Sequence, residues 1–404
     1  MMLTMLYGSF SLTGTWTKFA MPTSCQISSS QGLIIRNRLN VVNVLWLNHR
    51  DIKHPRAGGA ERTIMELSKR LYPKNIHLTL VTGGYIGNNA NENDQKYELY
   101  RFRGNIGPHI ASPHFLKQNY DVVVDDLAHV VPWFSESLTN IPGTVFFRHL
   151  HARSLKGQVS RPLEFALSFI ERNYGVIYRR WPFVTESNTG VSDLIDLGID
   201  RPRIIRILPG VDTDKFNVGR KTPFPSLVYV GRMMEYKRPD HAVRAMKEVI
   251  KNVGEAKLFM IGDGPFIHRL RDLVSKLNLE KNVKILGKVS DAELVNILSS
   301  SWVNVHTSIT EGWGYSIMEA SASGVPTVAY QVPGVVDAIS PGVNGELVES
   351  GNVKALANAI LANLDSPLSM VESSRKYAEL FSWDRAAENW AKHLKNTAEG
   401  MYIH

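Results

Sequence analysis

The chain has 404 residues, more than one hydrophobic core ordinarily serves, so two domains are expected. Hydrophobic residues make up 44% and charged residues 21%, with no run of about twenty apolar residues, the composition of a soluble globular protein. The single cysteine, Cys25, excludes an intrachain disulfide framework and a Cys-rich metal site, which fits a reducing, cytoplasmic setting. A net charge of +8 favours anionic partners: nucleotide phosphates, an anionic membrane surface or nucleic acid, against the plainer alternative of a solvated basic surface.

Residues 1–40 contain no Asp or Glu, are rich in Ser and Thr and have only Lys18, Arg36 and Arg38 as basic residues. They show neither the charged start nor the apolar core of a secretory signal, and a poorly ordered leader is expected. From Val41 onward, short β-branched runs alternate with amphipathic segments. VVNVLWL (41–47), HLTLVT (77–82), DVVVD (121–125) and GTVFF (143–147) read as buried strands. Between the first two, GGAERTIMELSKRL repeats Ile64, Leu67 and Leu71 at helical spacing, with Pro73 to stop it. A second series comes after Pro223 and Pro225: SLVYVG (226–231), AKLFMIG (256–262), NVKILG (282–287), SWVNVH (301–306) and PTVAY (326–330). Strands alternating with helices imply parallel sheets covered on both faces. The fold class is therefore α/β, with two Rossmann-like domains facing across a cleft. The first is placed at 41–208 and the second at 217–383, joined by the turn-rich LPGVDTDKF, whose residues 209–216 form the linker.

Ligands of open parallel sheets bind beyond the carboxyl ends of the strands, so the residues just past each strand carry the information. After the first comes NHRDIKHPRAGGAER, where Gly58 and Gly59 would let backbone N–H groups approach an anion at a helix N-terminus. The G-x-G-x-x-G dinucleotide pattern is missing there. GRMMEYKRPD comes after the first strand of the second series. Arg232 and Lys237 there suit a diphosphate, the guanidinium by bidentate contact and the ammonium as a point charge. GDGP (262–265) offers a tight turn at Gly262. In GKVSDAELVNILSSS, Ser290 or Asp291 would cap a helix, and any hold on a base by Lys288 and Val289 would run through backbone groups.

The stretch TEGWGYSIMEASASGVPTVAY then places two carboxylates, Glu311 and Glu319, around a loop with Gly312, Trp313 and Gly314. A helix is expected to run from Ser316 to Ser323, with a stop at Gly324. A carboxylate accepts from two neighbouring hydroxyls, as a sugar or ribose diol requires. The strand GTVFF ends in RHLHARS, where His149 and His151 would point the same way from extended backbone. No third ligand at a recognisable spacing completes a metal site, and a contact to phosphate or sugar hydroxyl is the better expectation for such a histidine. Finally, residues 148–180 hold seven Lys/Arg against two acids, interleaved with Phe165, Phe169 and Tyr174 and continuing to Tyr178 and Trp181. Such a segment suits either an anionic membrane surface or ordinary core aromatics on a helix.

Together GGAER, the Arg232/Lys237 pair, GDGP and EGWGYSIME with SASGVPTVA resemble the retaining family-4 glycosyltransferases (glycosyl transferases group 1) of the GT-B fold. The resemblance runs from about residue 41 to 395 and takes in TESN (185–188), LPGVDTDKF and FSWDRAAENW (381–390). It implies that Arg232 and Lys237, with the Gly58–Gly59 backbone, hold a donor diphosphate. It also implies that Glu311 holds the donor sugar, Glu319 the ribose, and His149 the sugar or phosphate. Gly262, Lys288, Val289 and the loop from Gly312 to Ser316 would complete the donor site, with His151 and Arg153 on the acceptor side and residues 384–404 crossing back to the first domain. The implied activity is metal-independent transfer of a hexose from a UDP- or GDP-sugar to a lipid-linked glycan or surface polysaccharide intermediate. No cofactor, metal or nucleic acid would be required, and the chain would be cytoplasmic, either free or peripheral on the cytoplasmic face of the membrane. Asp212 and Asp214 spell the metal motif of a different glycosyltransferase fold, but they lie in the linker. A sugar-nucleotide epimerase of the same architecture and a non-catalytic nucleotide-sugar binder are the competing readings.

Overall fold

A strand with no polar face belongs in the middle of a covered sheet, and VNVLWL is such a strand: Val44, Leu45, Trp46 and Leu47 are fully buried. In the computed structural model, which describes residues 41–51, 53–54, 57–84, 92–94, 96–155, 159–366 and 368–401, this strand is the centre of an eight-stranded sheet. The expected leader over 1–40, with Cys25, lies outside the described residues, as do 402–404 at the end of the expected crossover segment.

In chain order the first sheet comprises β1 (Val42–Leu47), β2 (Ile76–Gly84), β3 (Glu92–Asp94), β4 (Tyr97–Arg103), β5 (Val122–Leu127), β6 (Gly143–Phe147), β7 (Phe183–Thr185) and β8 (Ile204–Arg206). Its spatial order is β3-β4-β2-β1-β5-β6-β7-β8, parallel throughout except for the β3–β4 pair. β1 is flanked by β2 and β5, with Val44 in register with both Leu78 and Val122, so the strand order reverses beside it. The second sheet comprises β9 (Ser226–Val230), β10 (Lys257–Ile261), β11 (Val283–Gly287), β12 (Val303–His306), β13 (Thr327–Tyr330) and β14 (Gly345–Val348), ordered β11-β10-β9-β12-β13-β14 and all parallel. Its reversal falls beside β9. These are two parallel-sheet α/β domains of the GT-B arrangement.

Five strands go beyond those the sequence pattern predicts: β3, β4, β7, β8 and β14. β4 reads YELYRFR, a half-polar run, because it lies near the sheet edge and because Arg101 is buried there by pairing with Asp51 and Glu92. β7 and β8 have three residues each, too few for any period to show.

The helix Gly59–Leu71 lays Ile64, Leu67 and Leu71 on the first sheet. The helix Tyr315–Ala322 starts from Gly314 (φ +88°) and stops before Gly324 (φ +64°), two left-handed positions that favour glycine. The last helix, Trp383–Ala398, returns to the first sheet, where Trp390 packs 5.1 Å from Trp46 and 4.8 Å from Phe146. The two chain crossings touch: Val211 donates to the Phe381 carbonyl at 3.0 Å, and Gly210 lies so close to Trp383 that a Cβ would overlap its backbone. The basic–aromatic segment divides. Tyr174, Tyr178 and Trp181 belong to the core, whereas Phe165 and Phe169 on the helix Arg161–Arg172 are 75% and 58% exposed.

Candidate active site

The carboxyl ends of both sheets open on one cleft, a cavity of about 530 Å³. From the first domain it is lined by the segment after β1 (Arg50, Gly58–Arg62), by Arg148 and His149 after β6 and by Glu186 after β7. The second domain contributes Gly231–Arg232 and Tyr236–Lys237 after β9, Lys288 after β11, and Thr310–Ser316 with Glu319 after β12.

The loops after β9 and β12 are tied to each other. Thr307 donates to the carbonyls of Lys237 and Arg238 at 2.8 and 2.7 Å, and the Ile309 N–H donates to the Tyr236 carbonyl at 2.9 Å. That pairing brings Lys237 onto Glu311, whose Oε1 also sits 2.9 Å from His306 Nε2. Burial alone would push the Glu311 carboxyl up. The Lys237 ammonium and the His306 hydrogen bond outweigh it and hold the group below the usual carboxylate range. Burial likewise opposes the charge on Lys237, and Glu311 more than restores it, so the lysine ends above its ordinary value. Arg232 is exposed in the cleft, its Nη2 donating to the Tyr236 hydroxyl at 2.7 Å. His149 faces this group from the first domain; burial first, then His151, push it well below its ordinary value, so it is neutral at physiological pH.

Glu319 is 5% exposed and is met by Arg62, from the helix Gly59–Leu71 of the opposite domain. Beside them the Tyr315 hydroxyl lies 2.6 Å from Thr63 Oγ1 and 2.7 Å from Glu186 Oε1, both in the first domain. Glu186 in turn accepts from Arg148 (3.0 Å), which grips Asp126 at 3.0 and 2.7 Å through Nε and Nη2. This buried guanidinium is fully paired, as a charge away from water must be.

Thirteen of the expected site residues line the cleft: Gly58, Gly59, His149, Arg232, Lys237, Lys288, Glu311, Gly312, Trp313, Gly314, Tyr315, Ser316 and Glu319. Four do not. Gly262 (φ +129°) backs the loop instead, packed where a Cβ would overlap the Gly231 carbonyl. Val289 packs on the second core. The His151 ring is 4.5 Å from that of His149 but turns toward Glu171, with Nδ1 at 3.3 Å. Arg153 is committed to Asp193, both Nη atoms at 2.7 Å. Trp313 is 2% exposed and packs 5.3 Å from Phe381, so it is chiefly a core residue. The glycine pair also differs from expectation. The Gly58 N–H is taken by Glu61 Oε2 at 2.7 Å, and Gly59 is small because the Tyr315 ring lies where a Cβ would be, at 2.6 Å.

Sequence reasoning misses Arg62, His306, Tyr236, Arg148 and Glu186. His306 ends β12 and Glu186 lies just past β7, so strand-end position is the available signal; Arg62 shows only as the last letter of GGAER. Among the described residues, no group of three or more His, Cys, Asp or Glu is arranged to hold a metal ion. In the linker, the Asp212 carboxylate accepts from the Lys215 N–H at 2.9 Å.

Residues 57–215 match the family model described as Glycosyltransferase Family 4, and residues 211–381 match Glycosyl transferases group 1. The chain belongs to this glycosyltransferase family. It is 30% identical over 176 residues to the poly(glycerol-phosphate) alpha-glucosyltransferase of Bacillus subtilis, covering 43% of this chain and 26% of that one. With a D-inositol 3-phosphate glycosyltransferase of Acidothermus cellulolyticus it shares 31% over 227 residues, 51% of each chain. A GDP-mannose-dependent monoacylated alpha-(1-6)-phosphatidylinositol monomannoside mannosyltransferase of Corynebacterium glutamicum is 27% identical over 49% of this chain and 55% of its own. The chain thus spans about half or less of the length of these relatives. Among solved structures, sucrose-phosphate synthase from Thermosynechococcus elongatus superposes with a TM-score of 0.76 at 20% identity, over 89% of this chain and all of that one. Anabaena HepE in complex with UDP and glucose gives 0.69 at 16%, over 88% and 100%. At these identities the likeness shows the fold, GT-B.

The glycine pair yields a prediction with opposed terms. At the first helical position, Gly59→Ala should gain about 1 kcal/mol of helix propensity. Overlap with the Tyr315 ring costs about 1–3 kcal/mol and wins. Thermal unfolding should show Gly59→Ala destabilised and Gly58→Ala within about 0.5 kcal/mol of wild type, a surface-like change. Equal melting temperatures for the two variants would contradict this packing.

Proposed function

We propose that the chain transfers a hexose from a UDP- or GDP-linked sugar to an acceptor hydroxyl, with retention of the donor anomer and without a metal ion. The observation that carries the reading is the charge order along one wall of the cleft: Arg232 and Lys237, then Glu311, with Glu319 facing Arg62. A departing nucleoside diphosphate gains negative charge, and two cations kept beside it by the protein stabilise it more than mobile water does. Glu311 and Glu319 are carboxylates with cationic partners already in place, and each suits a pair of hydroxyls, the donor sugar at Glu311 and the ribose at Glu319. On donor binding Lys237 turns from Glu311 toward the diphosphate and Arg62 leaves Glu319. His149, being neutral, contributes a hydrogen bond rather than a charge. Among the described residues the other carboxylates of the cleft are already engaged, Glu61 by the Gly58 N–H and Glu186 by Arg148, which favours front-face attack through an oxocarbenium-like state over a carboxylate nucleophile. Known proteins support the donor class: HepE is in complex with UDP and glucose, and the Corynebacterium relative is named GDP-mannose-dependent.

The acceptor is proposed to be a lipid-linked glycan or surface polysaccharide intermediate, reached at an anionic cytoplasmic membrane face. Phe165 and Phe169 protrude one helical turn apart on the helix Arg161–Arg172, and the exposed Arg161 and Arg172 of the same helix line one surface pocket with them, beside Glu164. Protruding apolar side chains flanked by cations suit the interface of an anionic bilayer. No helix of the described residues is long and apolar enough to cross a membrane.

Two measurements check these readings. Incubation with a panel of nucleotide sugars and a crude lipid fraction should release UDP or GDP and label the fraction, and Glu311→Gln should lower turnover by about 10²–10³-fold. Donor bound without turnover would leave a binder, and interconversion of the sugar with no acceptor labelled would leave an epimerase. In flotation with vesicles containing anionic lipid, the Phe165→Ala/Phe169→Ala variant should bind at least about ten-fold more weakly, because each buried Phe contributes about 1.5–3 kcal/mol. Wild-type binding that ignores anionic lipid would remove the membrane face from the account.

A further inference from the structure

We propose that Asp337 is a positioning residue that couples closure of the cleft to the placement of Glu311; the inference rests on the transfer reaction proposed above. The helix Asn188–Asp196 of the first domain begins after β7, and its first N–H groups have no partner within the helix. Ser187 caps it by accepting from the Gly190 N–H at 3.0 Å. The two N–H groups ahead of that one cross the cleft: Asn188 donates to Asp337 Oδ1 at 2.9 Å and Thr189 to Oδ2 at 3.0 Å. The Thr189 hydroxyl adds a third hydrogen bond to Oδ2 at 2.5 Å. A carboxylate of one domain thus completes the helix terminus of the other, where the helix dipole and charge-assisted hydrogen bonds both favour it.

The segment leading to Asp337 is also the support of Glu311. The Glu311 N–H donates to the Pro333 carbonyl at 2.9 Å. Gly334 (φ +79°) lies so close to Glu311 that a Cβ would overlap its carbonyl oxygen, and its N–H donates to Thr189 Oγ1 at 3.2 Å. Val335 and Ala338 are fully buried, so the short helix Val335–Ala338 moves with the second core rather than by itself. Residues 333–337 therefore contact the backbone of the proposed sugar-binding carboxylate on one side and the opposite domain on the other. Opening the cleft releases the three hydrogen bonds to Asp337 and the lateral support of Gly334. Glu311 reaches its working position when the helix Asn188–Asp196 is seated on Asp337.

The test separates nucleotide binding from turnover. Asp337 bonds to Asn188 and Thr189 and to none of the proposed nucleotide contacts Arg232, Lys237 and Glu319 among the described hydrogen bonds, so Asp337→Asn should bind UDP or GDP within about three-fold of wild type, as substitutions outside a contact surface usually do. Its kcat should fall about ten-fold or more, because displacement of a substrate-holding group by an ångström carries a cost of that order or larger. Thr189→Val, which removes one hydroxyl and is the milder lesion if Asp337→Asn folds poorly, should show the same split on a smaller scale. Thr189→Ser, keeping the hydroxyl, should restore most of kcat. Full kcat in Asp337→Asn and Thr189→Val overturns the proposal. So does loss of kcat, nucleotide affinity and melting temperature in parallel, the pattern of a merely structural cap. A wild-type chain that turns over no nucleotide sugar sinks the transfer reading instead, an outcome distinct from either.

Discussion

Glu311 is a carboxylate largely withdrawn from water and held charged by a cation, and much of the cleft's construction derives from that constraint. Removing one partner from a buried ion pair costs about 3–5 kcal/mol, so Lys237 is held beside it. Holding Lys237 there requires the loops after β9 and β12 to lie side by side, which the Thr307 hydroxyl and the Ile309 N–H enforce. Holding Glu311 there requires Pro333 and Gly334 behind it. The first domain solves the same problem with Arg148 between Asp126 and Glu186. Each domain thus brings strand ends from distant parts of the chain to one place by satisfying a charge that none could bury alone.

Between the domains the interactions are of two kinds. Tyr315 with Thr63 and Glu186, and Asp337 with the helix Asn188–Asp196, are polar contacts that the proposed reaction leaves in place. Arg62 with Glu319, and within the second domain Lys237 with Glu311, are ion pairs lying on the cavity surface. In the proposed reaction the second kind is exchanged: the donor's hydroxyls replace the cations on the two glutamates, and its diphosphate receives at least one of the released charges. Such an exchange leaves few charges unpaired at any stage, which matters where desolvated charges are costly.

How much of this is legible in the sequence depends on separation along the chain. The two-sheet plan and the cleft wall from Arg232 to Glu319 emerge from the period of buried strands and from the residues just past each strand end. Gly324 marks the end of its helix correctly because φ is a local property. The pairings are not legible, because their partners are far apart: 74 residues for Lys237–Glu311, 149 for Asn188–Asp337 and 257 for Arg62–Glu319. Gly59 reads as room for an anion and is in fact room for Tyr315, from the opposite domain. The aromatics near Phe165 look alike in sequence, and only packing separates the buried Tyr178 from the protruding Phe169. Arg153 and His151 are plausible cleft residues until Asp193 and Glu171 are placed beside them.

Glu311 and Glu319 would exchange their cations for the hydroxyls of one donor molecule, and a crystal structure with an unreactive nucleoside diphosphate sugar would reveal the exchange. Glu319 should then lie within about 2.5–3.2 Å of the ribose hydroxyls and Glu311 equally close to the sugar, with Arg62 displaced and Arg232 and Lys237 on the diphosphate. A donor bound in the cleft with both the Arg62–Glu319 and Lys237–Glu311 pairs intact would contradict it.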